Sequence, residues 1–244
     1  MKLLNRRSLF ASTLSAGLAA TALAEEQCGE RPNTAPALQP PLLLTDWPWL
    51  ARYRDDNARL IGSGVKVDTV FLGDSITEGW VHADPAFFSR GNVGRGISAQ
   101  TTPQLLVRMH ADVIALRPRA VHIMAGTNDI AHNTGPMTAR ESQNNLMAMC
   151  EIAQMYKLAI VLGSVPPASK YWWKPDARPK PEALALNEWM RGYAKQIGAK
   201  YADYAAVLTD GRGDVKLDLA KDEVHPTPAG YAAMRVVAEG AIRG

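Results

Sequence analysis

The chain has 244 residues, of which 47% are hydrophobic and 21% are charged. These fractions are typical of soluble globular proteins and exclude the disordered and collagen-like classes. The length suits one α/β domain of about 200 residues plus a targeting segment, so a second domain is not required.

The start of the chain forms a separate segment, residues 1–24. Basic side chains at Lys2, Arg6 and Arg7 precede an apolar run over 9–23, which ends in the small-residue cleavage pattern Ala-Leu-Ala. We therefore expect a signal peptide and an exported mature protein, in a bacterial periplasm or outside the cell. A membrane-spanning helix is the alternative, but it requires roughly 20 apolar residues, and this run is shorter and contains Ser and Thr. The adjacent arginines also resemble a twin-arginine signal, which leaves the export route open.

The net charge of the chain belongs to this segment. The whole chain carries +3, from 27 basic and 24 acidic residues, and removing three basic residues leaves 24 of each sign. A mature chain of near-zero net charge has no electrostatic footprint for nucleic acid or for an anionic membrane surface. We expect a small-molecule partner, no nucleic acid and no stable membrane insertion after removal of the signal. The sequence leaves the oligomeric state open.

Residues 25–45 are expected to form a linker, because four prolines among polar residues cannot bury enough surface to become ordered. The domain is then predicted over 46–244, starting with a surface helix over 47–60, where apolar residues recur at helical spacing. Two cysteines, Cys28 and Cys150, are too few for a disulfide scaffold or a metal site. We favour two unpaired thiols, since Cys150 lies among apolar positions of a helical pattern.

From residue 67 onward, short β-rich runs alternate with longer helical patterns. Strands are predicted over 67–72, 120–125, 159–165 and 201–204, and helices over 103–116, 138–156, 181–197 and 228–242. This alternation predicts an α/β fold: a three-layer α/β/α sandwich with a central, mostly parallel sheet of about five strands. In such sheets the functional groups lie at the carboxyl ends of the strands, where four segments of this sequence carry chemistry.

The first segment is GDSIT, residues 73–77, directly after the first strand. A glycine permits a sharp turn from strand to helix, and a serine at the start of the helix presents its hydroxyl and its N–H to the crevice. Ser75 is therefore a candidate nucleophile. The alternative is a plain helix cap, since Ser and Asp are favoured in caps.

The second segment runs from Asp222 to His225, just before the last helix. A serine hydroxyl at its ordinary pKa is a poor nucleophile and needs an adjacent base, which a histidine held by a carboxylate supplies. A separation of three residues in a turn allows Asp222 to reach Nδ1 of His225 while Nε2 faces the serine. Taken alone, this pattern is more commonly a loop histidine with an acidic neighbour.

Two further segments offer donors for an oxyanion. Asn128, in the GTND of residues 126–129, follows a strand, and a side-chain amide of this kind can stabilise the charge formed on attack at an acyl carbon, by roughly 3 kcal/mol. A plain turn is the alternative for this segment. The GRGISAQTT of residues 94–102 can offer backbone N–H groups. A glycine-rich phosphate loop is its rival interpretation, but the Lys-Ser/Thr ending is missing and no GxGxxG follows a full strand.

Taken together and in this order, GDSIT, RGISAQTT, GTND and the DxxHP of residues 222–226 resemble the four sequence blocks of the SGNH hydrolase family, the GDSL-like lipases and esterases. The resemblance covers roughly residues 65–242. It implies a flavodoxin-like SGNH hydrolase fold and a serine esterase that needs no metal and no cofactor.

The resemblance also implies roles, by matching position. Ser75 would be the nucleophile and the first oxyanion donor, and Asn128 the side-chain oxyanion donor. His225 would be the base, and Asp222 the residue that orients the base.

One position departs from the family pattern. Where the family usually has a glycine as the backbone oxyanion donor, this sequence has Ala99. Its N–H is available, but an alanine at positive φ is costly, which puts the backbone angle in doubt. Gly96, which we expect to contact the substrate, would be the functional glycine if the loop were shifted by three residues. We prefer Ala99.

Trp172 and Trp173 lie in a proline-rich loop after the third predicted strand. Exposed aromatic rings there could stack on a sugar or hold an acyl chain, and the alternative is that they cap the core beneath the loop. Among the other histidines, His82 and His132 are candidates for lining the pocket, whereas His122, in a strand pattern, is expected to be structural. None shows a paired ligand spacing such as HExxH, so no metal is predicted.

The leading hypothesis is an exported hydrolase of small acyl esters, such as an acetylated carbohydrate or a short-chain or lysophospholipid ester. One alternative is an O-acyltransferase that uses the same residues with an alcohol acceptor in place of water. A non-catalytic binding module is the other, and it is disfavoured because every reacting group is present.

Overall fold

The structure, a computed structural model, describes residues 45–89, 91–220 and 222–243. All of them belong to one of the two units into which the chain divides, residues 33–244. The predicted signal peptide, residues 1–24, lies outside the described residues, as do Cys28 and all but the last residue of the predicted linker, 25–45.

Five parallel strands form one sheet in the order β2-β1-β3-β4-β5. The strands are β1 Thr69–Gly73, β2 Asn92–Gly96, β3 Ala120–Met124, β4 Ala159–Gly163 and β5 Lys200–Ala202. Because β1 lies between β2 and β3, the order reverses at β1, which is where doubly wound sheets form their binding crevice. The prediction of an α/β fold with about five parallel strands is confirmed.

Helices cover both faces of the sheet. They are α1 Arg54–Ser63, α2 Ser75–Ala83, α3 Pro85–Phe88, α4 Thr102–Arg108, α5 Thr127–Ile130, α6 Ala139–Met155, α7 Pro179–Ile197, α8 Tyr204–Leu208 and α9 Pro228–Arg243. Helix α2 contacts α9, and α6 contacts α4 and α7. This grouping agrees with the opposite faces of the sheet on which right-handed crossovers place the two sets of helices. None of the helices within the described ranges has both the length and the hydropathy that crossing a bilayer demands.

The core follows from the covering of both faces. Every residue of β1 and of β3 is buried, as expected for central parallel strands. Phe71 of β1 meets the ring of Trp80 edge-on at a centroid distance of 5.7 Å and that of Phe87 at 5.3 Å. Cys150 in α6 is a buried free thiol whose pKa burial raises to about 12, so it lacks the thiolate character that reactive cysteines have.

Strand β2 lies partly where the sequence predicts a loop. The prediction places residues 94–102 after the end of a strand, whereas β2 contains the first three of them. Two glycines in this strand reflect the close approach of α2: an added Cβ on Gly94 would lie 2.1 Å from Cγ2 of Val81, and one on Gly96 would lie 2.2 Å from the backbone N of Glu78. Glycine is depleted in strands, so the residues that permit this packing also hide the strand from sequence patterns.

The helix predicted over 103–116 is α-helical only as far as Arg108. It continues as a π-helix over Met109–Val113 and as a 3-10 turn over Ile114–Leu116. Within the π-helix the carboxylate of Asp112 turns into the interior and accepts a hydrogen bond from Nε of Arg108 at 2.8 Å. Hydrophobic periodicity does not report a change of helix type of this kind.

The other boundaries lie within two residues of the prediction, apart from those of the first helix, and two of the differences have an identifiable cause. The surface helix expected over 47–60 begins only at Arg54, after turns in which the Asp46 carboxylate accepts two backbone N–H bonds. The strand expected over 201–204 ends at Ala202, because the Asp203 carboxylate accepts the N–H of residue 206 and starts helix α8.

The register of the sheet aligns the carboxyl ends of three strands. Gly73 pairs with Gly96 on one side and with Met124 on the other. The GDSIT, RGISAQTT and GTND segments therefore leave the sheet side by side, at the same edge.

Candidate active site

Ser75 opens helix α2 at the carboxyl end of β1. Asp74 caps this helix, since its Oδ1 accepts the N–H of Ile76 at 3.0 Å. An added Cβ on Gly73 would lie 2.1 Å from Oγ1 of Thr77, so the tight turn before the serine requires glycine. The local sequence thus sets the Ser75 side chain, partly exposed, at the N-terminus of a helix.

His225 and Asp222 meet Ser75 from the other end of the chain. Nε2 of His225 lies 2.9 Å from Oγ of Ser75, and Nδ1 of His225 lies 2.7 Å from Oδ2 of Asp222. Oδ1 of Asp222 accepts the N–H groups of Val224 and His225, at 3.0 and 2.7 Å, which fixes the turn. Glu223, between them, adopts a left-handed conformation with φ of 67°. The three predicted side chains form a continuous hydrogen-bonded chain.

The electrostatics of this chain suit proton transfer. Burial opposes the ionisation of Asp222, but the hydrogen bonds and the charge of His225 outweigh it and lower its pKa to about 2. Burial also opposes the charging of His225, yet the hydrogen bond and the charge of Asp222, helped by the charge of Asp74, raise its pKa above the ordinary value. An ionised Asp222 therefore stabilises the imidazolium that forms when His225 accepts a proton.

Asp74 is a second, buried carboxyl beside the histidine. Burial raises its pKa to about 6, against the opposing effects of the Ile76 N–H and the charge of His225. The sequence analysis treats Asp74 only as a residue of a turn or helix cap, whereas the structure adds its charge to the surroundings of His225.

Asn128 lies in the short helix α5 at the carboxyl end of β3. Its Nδ2 donates to the backbone O of Gln100 at 3.0 Å and to Oδ2 of Asp74 at 3.2 Å, and its Oδ1 accepts from Asn133 at 2.7 Å. The amide therefore joins the GDSIT and RGISAQTT segments. Its donor end faces the crevice between them.

Ala99 lies between β2 and α4 with φ of 65°, the left-handed conformation that favours glycine. The doubt about its backbone angle is thereby resolved: the alanine adopts the angle at a cost. Gln100, the next residue, is anchored by Arg108, which donates to its Oε1 at 2.7 Å. Within the described part of the chain, neither the N–H of Ala99 nor that of Ser75 donates to an acceptor, so both are available to a ligand.

Comparison with known proteins decides the family. A model of the GDSL-like lipase/acylhydrolase family matches residues 71–233. The chain belongs to this family.

Solved structures agree with the GDSL-like assignment. An acylhydrolase from Bacteroides fragilis is 37% identical, with 81% of this chain and 97% of that chain covered and a TM-score of 0.76. A GDSL-like lipase from Bacteroides thetaiotaomicron is 36% identical, with 81% and 98% covered and a TM-score of 0.76. An acetylxylan esterase from Geobacillus stearothermophilus, 19% identical with 73% and 95% covered and a TM-score of 0.60, shares the fold. A search of curated proteins gave no significant match. The family model and the first two of these structures show that the chain is an ester-cleaving hydrolase of the GDSL-like family.

Gly96 lies in the contact between β2 and α2. It is buried at the end of β2, and an added Cβ would lie 2.6 Å from the backbone O of Asp74 and 2.2 Å from the N of Glu78. Its carbonyl accepts a hydrogen bond from the Tyr53 hydroxyl. In this GDSL-like domain Gly96 therefore serves the packing of α2 on β2, and its contact with substrate stays a prediction.

The aromatic segment lies beside His225 and Asp222. The ring centroid of Trp173 lies 6.3 Å from that of His225, and Nε1 of Trp172 donates to Oδ2 of Asp222 at 3.2 Å. Both indoles are partly exposed, and Trp173 also packs against the hydrophobic core, so a contact of this segment with substrate stays a prediction. Tyr171 is the member of the segment that is buried, stacked on Trp173 at 4.7 Å.

Two polar residues of the site were missed by the sequence analysis. Glu78 accepts hydrogen bonds from Ser98, next to Ala99, and Asn133 donates to Asn128. Glu78 lies in the first turn of α2, where its side chain reaches the neighbouring loop. No sequence signal marks Asn133, because its partner is defined by a turn of the chain after α5.

The other histidines do not join the site. His122 is buried, its Nε2 lies 2.8 Å from the hydroxyl of Tyr204, and burial lowers its pKa to about 3, as expected of a structural residue. His82 and His132 are exposed, and neither hydrogen-bonds to Ser75 or His225 within the described residues. Those same ranges contain no group of three or more His, Cys, Asp or Glu side chains that could hold a metal ion.

Proposed function

We propose that this GDSL-like hydrolase cleaves small acyl esters through an acyl-enzyme formed on Ser75. The observation that carries the proposal is the 2.9 Å contact between Oγ of Ser75 and Nε2 of His225, whose Nδ1 is held by Asp222. This arrangement leaves the Nε2 lone pair free to accept the serine proton, and it orients the ring for the transfer.

In the first step Oγ of Ser75 bonds to the acyl carbon while its proton passes to Nε2 of His225. The tetrahedral intermediate then breaks its bond to the leaving alcohol oxygen, which takes that proton from His225. In the second step His225 accepts a proton from water as the water oxygen attacks the acyl carbon. The intermediate collapses to release the acid, and the proton returns to Ser75.

Three donors would hold the oxyanion of both intermediates: the N–H of Ser75, the N–H of Ala99 and Nδ2 of Asn128. The first two have no acceptor within the described residues, which supports their assignment. Nδ2 of Asn128 already has two acceptors, so the oxyanion has to displace one. The longer contact, 3.2 Å to Asp74, is the one that we expect to yield.

For the substrate, we propose an ester with a small acyl group, such as an acetylated carbohydrate or a short-chain or lysophospholipid ester. The partly exposed faces of Trp172 and Trp173 beside His225 support a ring or an apolar chain on this side of the site. Use of an alcohol in place of water would make the same residues an O-acyltransferase, and product analysis separates the two reactions.

We also propose that the mature chain is exported, on the basis of residues 1–24 alone. Mass spectrometry of the protein from the periplasm or the culture medium tests this directly. A mature N-terminus at Glu25 is expected, and a chain that stays in the cytoplasm with Met1 intact contradicts the proposal.

The test of the chemistry is a screen of the purified domain against p-nitrophenyl esters of graded length and against acetylated sugars. We expect turnover of the shortest esters, its loss by at least 10³-fold in Ser75→Ala, and full activity in the matched control Ser89→Ala, an exposed serine. A phosphonate should label Ser75 covalently. Undiminished turnover in a folded Ser75→Ala protein removes the serine from its proposed role.

A further inference from the structure

Trp172 and His225 form hydrogen bonds with the same oxygen of Asp222. Its Nε1 donates to Oδ2 of Asp222 at 3.2 Å, and the same oxygen accepts from Nδ1 of His225 at 2.7 Å. An oxygen that accepts two donors divides its charge between them. The indole N–H therefore holds the carboxylate in place, and it also weakens the attraction of the carboxylate for the imidazolium.

Trp173 reaches the opposite side of the site through one intermediate residue. Its Nε1 donates to Oδ1 of Asn133 at 3.2 Å, and Nδ2 of Asn133 donates to Oδ1 of Asn128 at 2.7 Å. Two adjacent indoles are thus connected to the two sides of the proposed site. Trp172 is connected to the base through Asp222, and Trp173 to the oxyanion donor Asn128 through Asn133.

The loop that carries these indoles is fastened at several points. The rings of Tyr171 and Trp173 stack within 10° of parallel. Nζ of Lys174 donates to the backbone O of Ala131 at 2.7 Å, which ties the loop to the segment after Asn128. At its start, the N–H and the hydroxyl of Ser169 both donate to Oε2 of Glu223 at 2.6 Å. Such fastening lets the indole N–H groups act from fixed positions.

We propose that Trp172, Trp173 and Asn133 are positioning residues of the hydrolase. Trp172 holds the Asp222 carboxylate and tunes the basicity of His225, while Asn133, held by Trp173, decides which end of the Asn128 amide faces the acyl carbon. The inference rests on the proposed function for the roles of His225 and Asn128.

The orientation of the Asn128 amide depends on its neighbours. A side-chain amide has a donor end and an acceptor end of nearly equal shape, so only hydrogen bonding selects its orientation. Turned by 180°, Oδ1 of Asn128 would face the carbonyl of Gln100, and its NH2 would face the NH2 of Asn133. The donor from Asn133 therefore stabilises the orientation that presents N–H groups to the crevice.

These contacts also limit how the tryptophans can meet a substrate. Because both indole N–H groups already have acceptors within the protein, and Tyr171 stacks on one face of Trp173, only the exposed parts of the two rings remain for the ligand. Recognition by these rings is then stacking or apolar contact, not hydrogen bonding.

The proposed role of Trp172 is tested by Trp172→Phe, which removes the indole N–H and keeps an aromatic ring. Without the competing donor, Oδ2 of Asp222 binds the imidazolium more strongly, so we expect the pKa of His225 to rise by about half a unit in an NMR titration of ¹³C-labelled histidine. Trp172→Leu should shift it in the same direction, and His225→Gln assigns the resonance.

Trp189→Phe is the matched control. Trp189 lies in α7, where it stacks on Tyr193 at 5.1 Å, and its replacement should leave the His225 pKa unchanged. An unchanged or lowered pKa in both folded Trp172 variants overturns this part of the proposal. Because the titration needs no substrate, it is decided separately from esterase activity: a chain that shows the shift but hydrolyses no ester refutes the proposed function alone.

The proposed role of Asn133 is tested by Asn133→Asp. The aspartate side chain has nearly the same shape as asparagine but offers no hydrogen-bond donor to Asn128. We expect kcat to fall about tenfold with KM within twofold, since the lost contact acts on the transition state, and Trp173→Phe should give a smaller fall of the same kind. Asn92→Asp, a replacement at the start of β2, should have no effect on either constant.

A double-mutant cycle shows whether the effect passes through Asn128. In an Asn128→Ala background the Asn133→Asp change should cause no further loss, because the group that it orients is gone. Losses that multiply in the double variant, or a KM change as large as the kcat change, contradict the proposal while leaving the role of Ser75 intact.

Discussion

Oε2 of Glu78 accepts two hydrogen bonds from Ser98, one from its N–H at 2.8 Å and one from its hydroxyl at 2.6 Å. The helix that begins with Ser75 therefore also holds the loop that contains Ala99. Two of the proposed oxyanion donors are thereby fixed relative to each other by one carboxylate. Arg52 donates to the second oxygen of Glu78 at 3.1 Å and completes the contact.

We predict that Glu78→Ala lowers kcat/KM about tenfold, because the N–H of Ala99 loses its fixed position. Glu78→Gln retains an acceptor for the Ser98 N–H. It should therefore raise the activation free energy by less than half as much as Glu78→Ala does. Steady-state kinetics on a short p-nitrophenyl ester measures both. Arg52→Gln, which leaves the bonds to Ser98 in place, is the control, and equal losses in Arg52→Gln and Glu78→Ala would argue against a specific role for the carboxylate.

Ala99 yields a prediction of opposite sign. A residue with a Cβ at φ of 65° costs roughly 1 kcal/mol relative to glycine in the folded state, so replacement by glycine stabilises that state. Part of this stabilisation is offset by the greater conformational freedom of glycine in the unfolded chain. Ala99→Gly should therefore raise the free energy of unfolding by about 0.5 kcal/mol and keep kcat within twofold. Urea denaturation and kinetics at one pH give both values. Ala99→Val, with a β-branched side chain at the same angle, should lower stability and activity together.

The pH dependence reports the charge of Asp74. On the proposed mechanism His225 must be neutral to accept the serine proton, so we expect activity to be lost as the pH falls through its raised pKa. The charge of Asp74 contributes to that rise, and Asp74→Asn removes it. We therefore expect the acid limb of the kcat/KM profile to move to lower pH in Asp74→Asn. Since the pKa of Asp74 itself is about 6, the carboxyl loses its charge below that pH. An acid limb that moves to higher pH in Asp74→Asn contradicts the proposed effect of the Asp74 charge on the pKa of His225.

Arg108 predicts an effect on stability. Its buried guanidinium donates to Asp112 at 2.8 Å, to Oε1 of Gln100 at 2.7 Å and to the backbone O of Arg95 at 2.6 Å. Arg108→Met leaves the Asp112 carboxylate buried without this ion pair, and we expect the free energy of unfolding to fall by about 3 kcal/mol. Chemical denaturation measures the loss. Asp112→Asn in the same background should recover part of it, because it removes the uncompensated charge.

Much of the fold and of the site follows from the sequence, because both depend on local patterns. The apolar run of β4 and the alternation of strands with helices predict a parallel sheet covered on both faces, and the carboxyl-end rule directs attention to Ser75 and Asn128. His225 is predicted because an activated serine needs a base, whatever the distance along the chain.

The failures have a different origin: they concern contacts that one segment makes with another. The glycines of β2 hide a strand because α2 packs against it. Asn133 and Glu78 act through a partner that only the folded chain brings near. The π-helix after Arg108 coincides with a buried ion pair, and periodicity contains no information about ion pairs.

The contact between Ser75 and His225 joins residues 150 positions apart in the chain. A growing polypeptide that has been synthesised through β5 already contains the proposed nucleophile and all three proposed oxyanion donors, yet its serine has no base. On the proposed roles, the hydroxyl stays unreactive until the turn that contains His225, and helix α9 after it, have docked on the sheet. Docking of the last described turn and helix, and not the assembly of the sheet, is then the event that makes the serine reactive.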